Sequence, residues 1–149
     1  MSNLVNFINT IAALSVSDGT STPTALKHST LKDAIESADC PARIVLPFDE
    51  GNGAEFGFLS ASTGSVAWTI RDMYLAGPVG ENTGWRSFAL KLDTYAANYI
   101  TAFKAARSTF CGYNASDVSI NLQRDVFSYG AAGKQYYGVM VTYAIEETI

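Results

Sequence analysis

Two runs near the end of the chain constrain its fold more than anything else in it. Val118, Ile120, Leu122, Arg124 and Val126 take every second position, with Ser119, Asn121, Gln123 and Asp125 between them. After Tyr129-Gly130-Ala131-Ala132-Gly133, a second run sets Tyr137, Val139, Val141, Tyr143 and Ile145 on one face and Gly138, Thr142 and Glu146 on the other. Successive side chains of an extended chain point to opposite faces, so a period of two describes a strand buried on one side. A short glycine-containing link between two such runs describes a hairpin.

The remaining segments fit around that hairpin. Leu4, Phe7, Ile8, Ile11 and Leu14 repeat at helical spacing and predict an amphipathic helix over about residues 3–15. Ser15 to His28 is rich in Ser, Thr, Gly and Pro, and residues 15–30 read as a mobile loop. Thr30 with Asp33 has the form of a capping box. Leu31, Ala34, Ile35 and Ala38 then predict a second short helix, stopped before Pro41. Ala42 to Phe48 reads as a strand, with Pro47 closing it or placing it near an edge, and Asp49-Glu50-Gly51-Asn52-Gly53 as a turn. Two more strands are expected at 54–60 and 65–75, turned by Ser62-Thr63-Gly64; in the second, Val66, Trp68 and Ile70 alternate with Ala67, Thr69 and Arg71. A Gly-rich connection over 74–84 leads to the longest helix, about 85–108, where Phe88, Leu92, Tyr95, Tyr99, Ala102 and Ala106 stand three or four apart. Cys111-Gly112 offers that helix a terminating glycine. The order α-α-β-β-β-α-β-β gives an α+β fold, a mainly antiparallel sheet flanked by helices, in a single domain 1–149.

A chain of 149 residues buries about 68–70% of its unfolded surface and needs neither metal nor disulfide to hold together. Its charged fraction is 16%, below the usual ~25%, while it carries eight Tyr and eight Phe. Few ionic residues are left to cover the outside, so part of the aromatic and apolar surface is expected to meet another protein. The net charge is −4, and basic residues such as Lys27, Arg43, Arg71, Lys91 and Lys134 form no cluster, which argues against sequence-specific nucleic-acid contact. Cys40 and Cys111 have no metal-type spacing and read as two buried free thiols, with a disulfide as the alternative. The start Met1-Ser2-Asn3-Leu4 has no basic region of a secretory signal, and no stretch approaches the ~18 apolar residues of a membrane span. Assembly in a cytoplasm is the corresponding expectation.

Chemistry is sparse. His28 is the lone histidine and lies in the polar loop, where a solvated role outweighs that of a general base. Asp49 and Glu50 read as a turn, and Glu146 and Glu147 as charges that keep the end of an apolar strand in water. Gly77-Pro78-Val79-Gly80-Glu81-Asn82-Thr83-Gly84 lacks the Lys-Ser/Thr ending of a phosphate loop, no nucleophile elbow is present, and neither cysteine has a base beside it in sequence. Trp68 reads as core, and Trp85, at a helix start, as interface or core. No enzymatic activity, cofactor or metal is expected.

Trp68-Thr69-Ile70-Arg71-Asp72-Met73-Tyr74-Leu75, then Gly77-Pro78-Val79, Tyr95-Ala96-Ala97-Asn98-Tyr99 and the ending Gln135 to Glu147 resemble small virion proteins of tailed bacteriophages. The tyrosine, glycine, alternating strand and acidic finish are similar to tail terminator and neck (head-tail connector) proteins, and Ile44-Val45-Leu46-Pro47 fits the same pattern. The resemblance covers about residues 42–147. It implies an α+β sheet flanked by helices, and a homo-oligomeric ring, usually a hexamer, at the head-proximal end of the tail. Such a ring stops tube growth and meets the head connector, so the implied partners are further copies, tail-tube subunits and connector proteins. The implied location is the virion, after assembly in the host cytoplasm. DNA would pass through the ring, and an acidic wall would suit it by repelling phosphate. A tail-tube or head-completion subunit is the nearest alternative, and a small-ligand-binding domain a more distant one. The residues expected at interfaces are Trp85, Arg86, Tyr74, Tyr129, Tyr136 and Tyr137, aromatic or Arg side chains near loops and strand ends.

Overall fold

The computed structural model describes residues 3–45, 57–62, 64–80, 84–130 and 133–149. The architecture is α+β. The elements are α1 (Leu4–Ala12), β1 (Ala25–Leu26), β2 (Ala42–Val45), β3 (Gly57–Ser62), β4 (Ser65–Pro78), α2 (Trp85–Gly112), β5 (Ala115–Tyr129) and β6 (Lys134–Thr148). The sheet runs β1-β2-β4-β6-β5, with β3 pairing β4 beside β2's stretch. Every pairing is antiparallel except the two-residue contact of β1 with β2.

The expected hairpin is the spine of this sheet. Tyr129 faces Lys134 across a turn in which the Gly133 N–H donates to the Gly130 carbonyl at 3.1 Å. Gly130 sits at φ +87, and a side chain there would also strike the Asp33 carbonyl, so two constraints meet at one glycine. β6 lies between β4 and β5, and its odd-numbered row from Tyr137 to Ile145 is buried under the helices. Tyr143 packs among Phe103, Phe110 and Tyr99 with ring centroids 5.8, 5.9 and 6.3 Å away. Gly138 lets β6 approach β4 closely: an added Cβ would lie 2.2 Å from the Tyr74 carbonyl oxygen.

The two faces of the sheet are covered differently. α1 and α2 bury one face through Phe7, Ile8, Ile11, Leu92, Tyr95, Tyr99, Phe103 and Phe110. The other face is covered at its hairpin end by the segment around Leu31 and Ile35, packed on Met73, Leu75, Tyr129 and Tyr136. This segment is where the structure corrects the predicted second helix. Residues 28–30 and 37–39 form 3₁₀ turns and Leu31 is extended, so the pair of turns stands in that helix's place in the order. Thr30 is engaged by the first turn, accepting from the Lys27 N–H and donating to the Lys27 carbonyl, so it does not cap a helix beyond it. The carbonyls of Lys32 and Ile35 accept hydrogen bonds from the hydroxyls of Tyr129 and Tyr136. An α-helix would have used both carbonyls internally.

Boundaries shift elsewhere for local reasons. α2 runs through Gly112, and the left-handed residue that ends it is Asn114, at φ +65. The Asn114 carbonyl then receives the Thr148 N–H at 2.9 Å, tying the helix exit to the end of β6. β4 continues to Pro78, into the stretch expected as a connection. Segment 15–30 has buried anchors: Val16 and Asp18 are both covered, Asn98 donates to the Ser17 carbonyl at 2.9 Å, and Ala25–Leu26 pairs with β2. The expected Pro47 strand end and the turn 49–53 lie outside the described residues.

Candidate functional site

Parity along β4 and β6 carries acidic residues into the interior. Asp72 continues the row of Val66, Trp68 and Ile70, and Glu147 the row of Tyr137 to Ile145; both are buried. Arg43 on β2 faces the same layer and is 1% exposed. Its Nε donates to both Asp72 oxygens at 3.1 Å and its Nη2 to Oδ2 at 2.7 Å. The same guanidinium donates to the Ile11 and Leu14 carbonyls at 2.6 and 2.5 Å, where α1 ends and has spare acceptors. Burial alone would pull the Arg43 pKa down, but the Asp72 charge and its hydrogen bonds more than reverse this, so Arg43 stays charged.

Tyrosines complete this interior layer. The Tyr99 hydroxyl donates to Asp72 at 2.6 Å and lies 2.6 Å from the Tyr143 hydroxyl. The Tyr74 hydroxyl donates to Asp18 at 2.6 Å, and its ring stacks on Tyr95 at 4.0 Å. Burial, and then the neighbouring carboxylates, push the phenols of Tyr74, Tyr95 and Tyr99 well up, so they are held neutral. Burial would raise Asp18, but the Tyr74 hydroxyl and the backbone N–H groups of Ser21 and Thr20 leave it lowered. Glu147, expected in water, instead accepts the Trp68 indole N–H at 2.9 Å and the Asn3 backbone N–H at 2.6 Å. These networks join α1, segment 15–21, α2 and three strands and hold the fold together; among the described residues the Tyr95 hydroxyl is the one buried side-chain polar atom left without a hydrogen bond.

The residues expected at interfaces separate into two groups. Tyr74, Tyr129, Tyr136 and Tyr137 are corrected to interior positions, since their rings fill the two faces of the sheet and their exposure is 0–6%. Nearness to a strand end misled here, because the hairpin end is covered on both sides. Trp85 and Arg86 are exposed at the start of α2. The Trp85 ring, 42% exposed, rests on Tyr137 with centroids 4.7 Å apart, which fixes its orientation. Leu90, one turn on, is 80% exposed and Ile100 42%. Sequence reasoning passed over Leu90, yet it lies off the helical stripe of Phe88, Leu92, Tyr95 and Tyr99, which was the available signal. α2 also carries Arg86, Lys91, Lys104 and Arg107 against Asp93 alone. Asp93 is held by Arg124 of β5 at 2.6 Å.

Other groups stand apart. His28 is exposed at φ +47. Both cysteines are free, but Cys111 is exposed and Cys40 half-buried, so the expectation of two buried thiols is corrected. Asp49 and Glu50 lie outside the described residues. Among the described residues no group of three His, Cys, Asp or Glu side chains could hold a metal ion, and no helix is long and apolar enough to cross a membrane. An open groove of about 410 Å³ runs between α1 and α2, lined by Asn6, Asn9, Thr10, Ala13, Leu14, Ala106, Thr109 and Tyr113. No protein-family model matches the chain, and no curated protein matches it in sequence.

Proposed function

We propose that the chain is a structural virion protein of a tailed bacteriophage, a tail terminator or neck protein acting as a homo-oligomeric ring, hexameric in the simplest case. The ring ends the tail tube and joins it to the head connector, and it does so by contact alone, without catalysis. One observation carries this reading. α2 presents Trp85, Leu90 and Ile100 to solvent beside β5, a 15-residue strand at the outer edge of the sheet. An edge of that length, roughly 50 Å of backbone, offers a row of hydrogen-bonding groups to a neighbouring molecule. Exposed aromatic, aliphatic and Arg side chains beside it have the chemistry of protein contacts. The resemblance of residues 42–147 to terminator and neck proteins supplies the biological setting. The groove between α1 and α2 favours a small-ligand domain as the second reading, since Asn6 and Asn9 line it together with the apolar Ala13, Leu14 and Ala106.

Tail-tube polymerisation tests the proposal. Added at the start of polymerisation, the protein is expected to shorten tubes of the cognate tail-tube subunit and to appear at one tube end by negative-stain electron microscopy. Tubes of unchanged length with bare ends contradict it. Axial stacking of the chain into filaments would assign it to the tube itself.

A further inference from the structure

We infer that one subunit contact joins the start of α2, through Trp85, Arg86 and Leu90, to the acidic segment around Asp33 and Glu36 of a second copy of this chain. This rests on the reading of the chain as a ring-forming subunit. Arg86, Leu90 and Asp93 follow one another at helical spacing on the outer side of α2, and Leu90 is the most exposed large apolar side chain among the described residues. Asp93 is neutralised by Arg124, so Arg86 keeps this side of the helix basic, with Lys91 further round it toward Asp18. Across the sheet, segment 31–39 exposes Asp33 and Glu36 with the small apolar side chains Ala34 and Ala38 beside them. Lys32 is held by Asp39 at 2.8 Å, and Glu36 forms a longer, solvent-exposed ion pair with Lys134 at 3.7 Å, which leaves Asp33 as the anion of this segment without a cation at pairing distance among the described residues.

The two patches are complementary in both respects: a protruding leucine and a cation on one, small apolar residues and anions on the other. They also stand back to back. On β6 the Tyr136 hydroxyl reaches the Ile35 carbonyl on one face, and the adjacent Tyr137 ring meets Trp85 on the other. A molecule with complementary patches on opposite faces associates head to tail, and head-to-tail contacts close into rings when the rotation permits. Charge segregation favours the same partner. α2 carries a net +3 in a chain of net −4, leaving −7 on the remainder, so this orientation sets opposite charges together although whole copies carry the same net sign.

Three variants test the contact: Arg86→Glu, Leu90→Asp, and the pair Asp33→Lys with Glu36→Lys. Each residue is exposed, so unchanged far-UV circular dichroism and thermal melting of the monomer are expected. Each variant is expected to weaken self-association at least about 100-fold, since like charges or an unpaired carboxylate are placed in the contact. R86E and D33K/E36K reverse the charge on opposite sides of the contact, so an equimolar mixture is expected to recover association as a mixed assembly of alternating copies, native contacts alternating with charge-reversed ones. A folding defect could not produce that species. If the wild-type chain forms rings and all three variants do so equally well, the contact is wrong while the ring reading stands. If the wild-type chain is monomeric at every concentration, both fall. Salt-sensitive binding of the monomer to a DNA duplex, abolished by R86E, overturns the contact and assigns the basic end of α2 to nucleic acid.

Discussion

Arg43→Met, Asp72→Leu and the double variant test the energetics of the interior most sharply. In the native fold the two side chains are 1% and 0% exposed, and Arg43 makes three hydrogen bonds to Asp72 and two to the end of α1. R43M leaves a buried carboxylate whose remaining donor is the Tyr99 hydroxyl, and it removes the donor from the Ile11 and Leu14 carbonyls. D72L leaves a buried guanidinium with two backbone carbonyls as its only partners among those bonds. Breaking a buried pair from one side costs about 3–5 kcal/mol, a large share of a typical total of about 5–15 kcal/mol. The double variant buries no charge, and Tyr99 keeps Tyr143 as a partner. It is therefore expected to lose less than the sum of the two singles, by at least about 2 kcal/mol of coupling. Urea denaturation followed by circular dichroism at one fixed protein concentration measures all four corners of the cycle. Singles that cost under about 1 kcal/mol, or a double variant that is simply additive, would show that water reaches this pair and that the interior network is misread.

Gly138→Ala is expected to destabilise by about 1–3 kcal/mol, measured by the same denaturation, because its Cβ would overlap the Tyr74 carbonyl. Alkali should unfold the protein: burial raises the phenols of Tyr74, Tyr95, Tyr99 and Tyr143, so their contribution is whole below the ordinary tyrosine value near 10 and is lost as pH climbs above it. Absorbance of tyrosinate at 295 nm should therefore rise together with loss of circular dichroism, and a rise that precedes unfolding contradicts the burial. On the acid side Asp18 is depressed, so its contribution is present above about pH 3.9 and fades below it; D18N should flatten that part of the stability profile. A thiol reagent should modify exposed Cys111 first, with Cys40 slower because burial pushes its thiol up. Equal rates in mass spectrometry would contradict this.

What the sequence made legible was periodicity. The rows 118–126 and 137–145 specify strands, faces and pairing partner together, and the stripe from Phe88 to Ala106 specifies the covering helix. The same parity placed Asp72 and Glu147 inside, but residue type alone assigned Glu147 to water, and the partners that make burial of the two tolerable come from β2, β4 and the N-terminal residues, far away in sequence. The Leu31–Ala38 stripe failed for the opposite reason: its local pattern is helical, yet two tyrosine hydroxyls from the hairpin claim its carbonyls. Tyr129 and Tyr136 were in turn misplaced as surface anchors, because the segment that covers them, around Leu31 and Ile35, lies about a hundred residues away in sequence. The exposed end of α2 was half legible. Trp85 and Arg86 stood out by residue type, while Leu90 needed the helix phase to be followed one turn further.

The central claim is that this chain works as one copy among several. Sedimentation equilibrium of the purified protein, over a range of concentrations at moderate salt, addresses it without reference to any partner. The account expects a discrete closed species, about 96 kDa for six copies of a 16.0 kDa chain. A single species of 16.0 kDa at every concentration would contradict it.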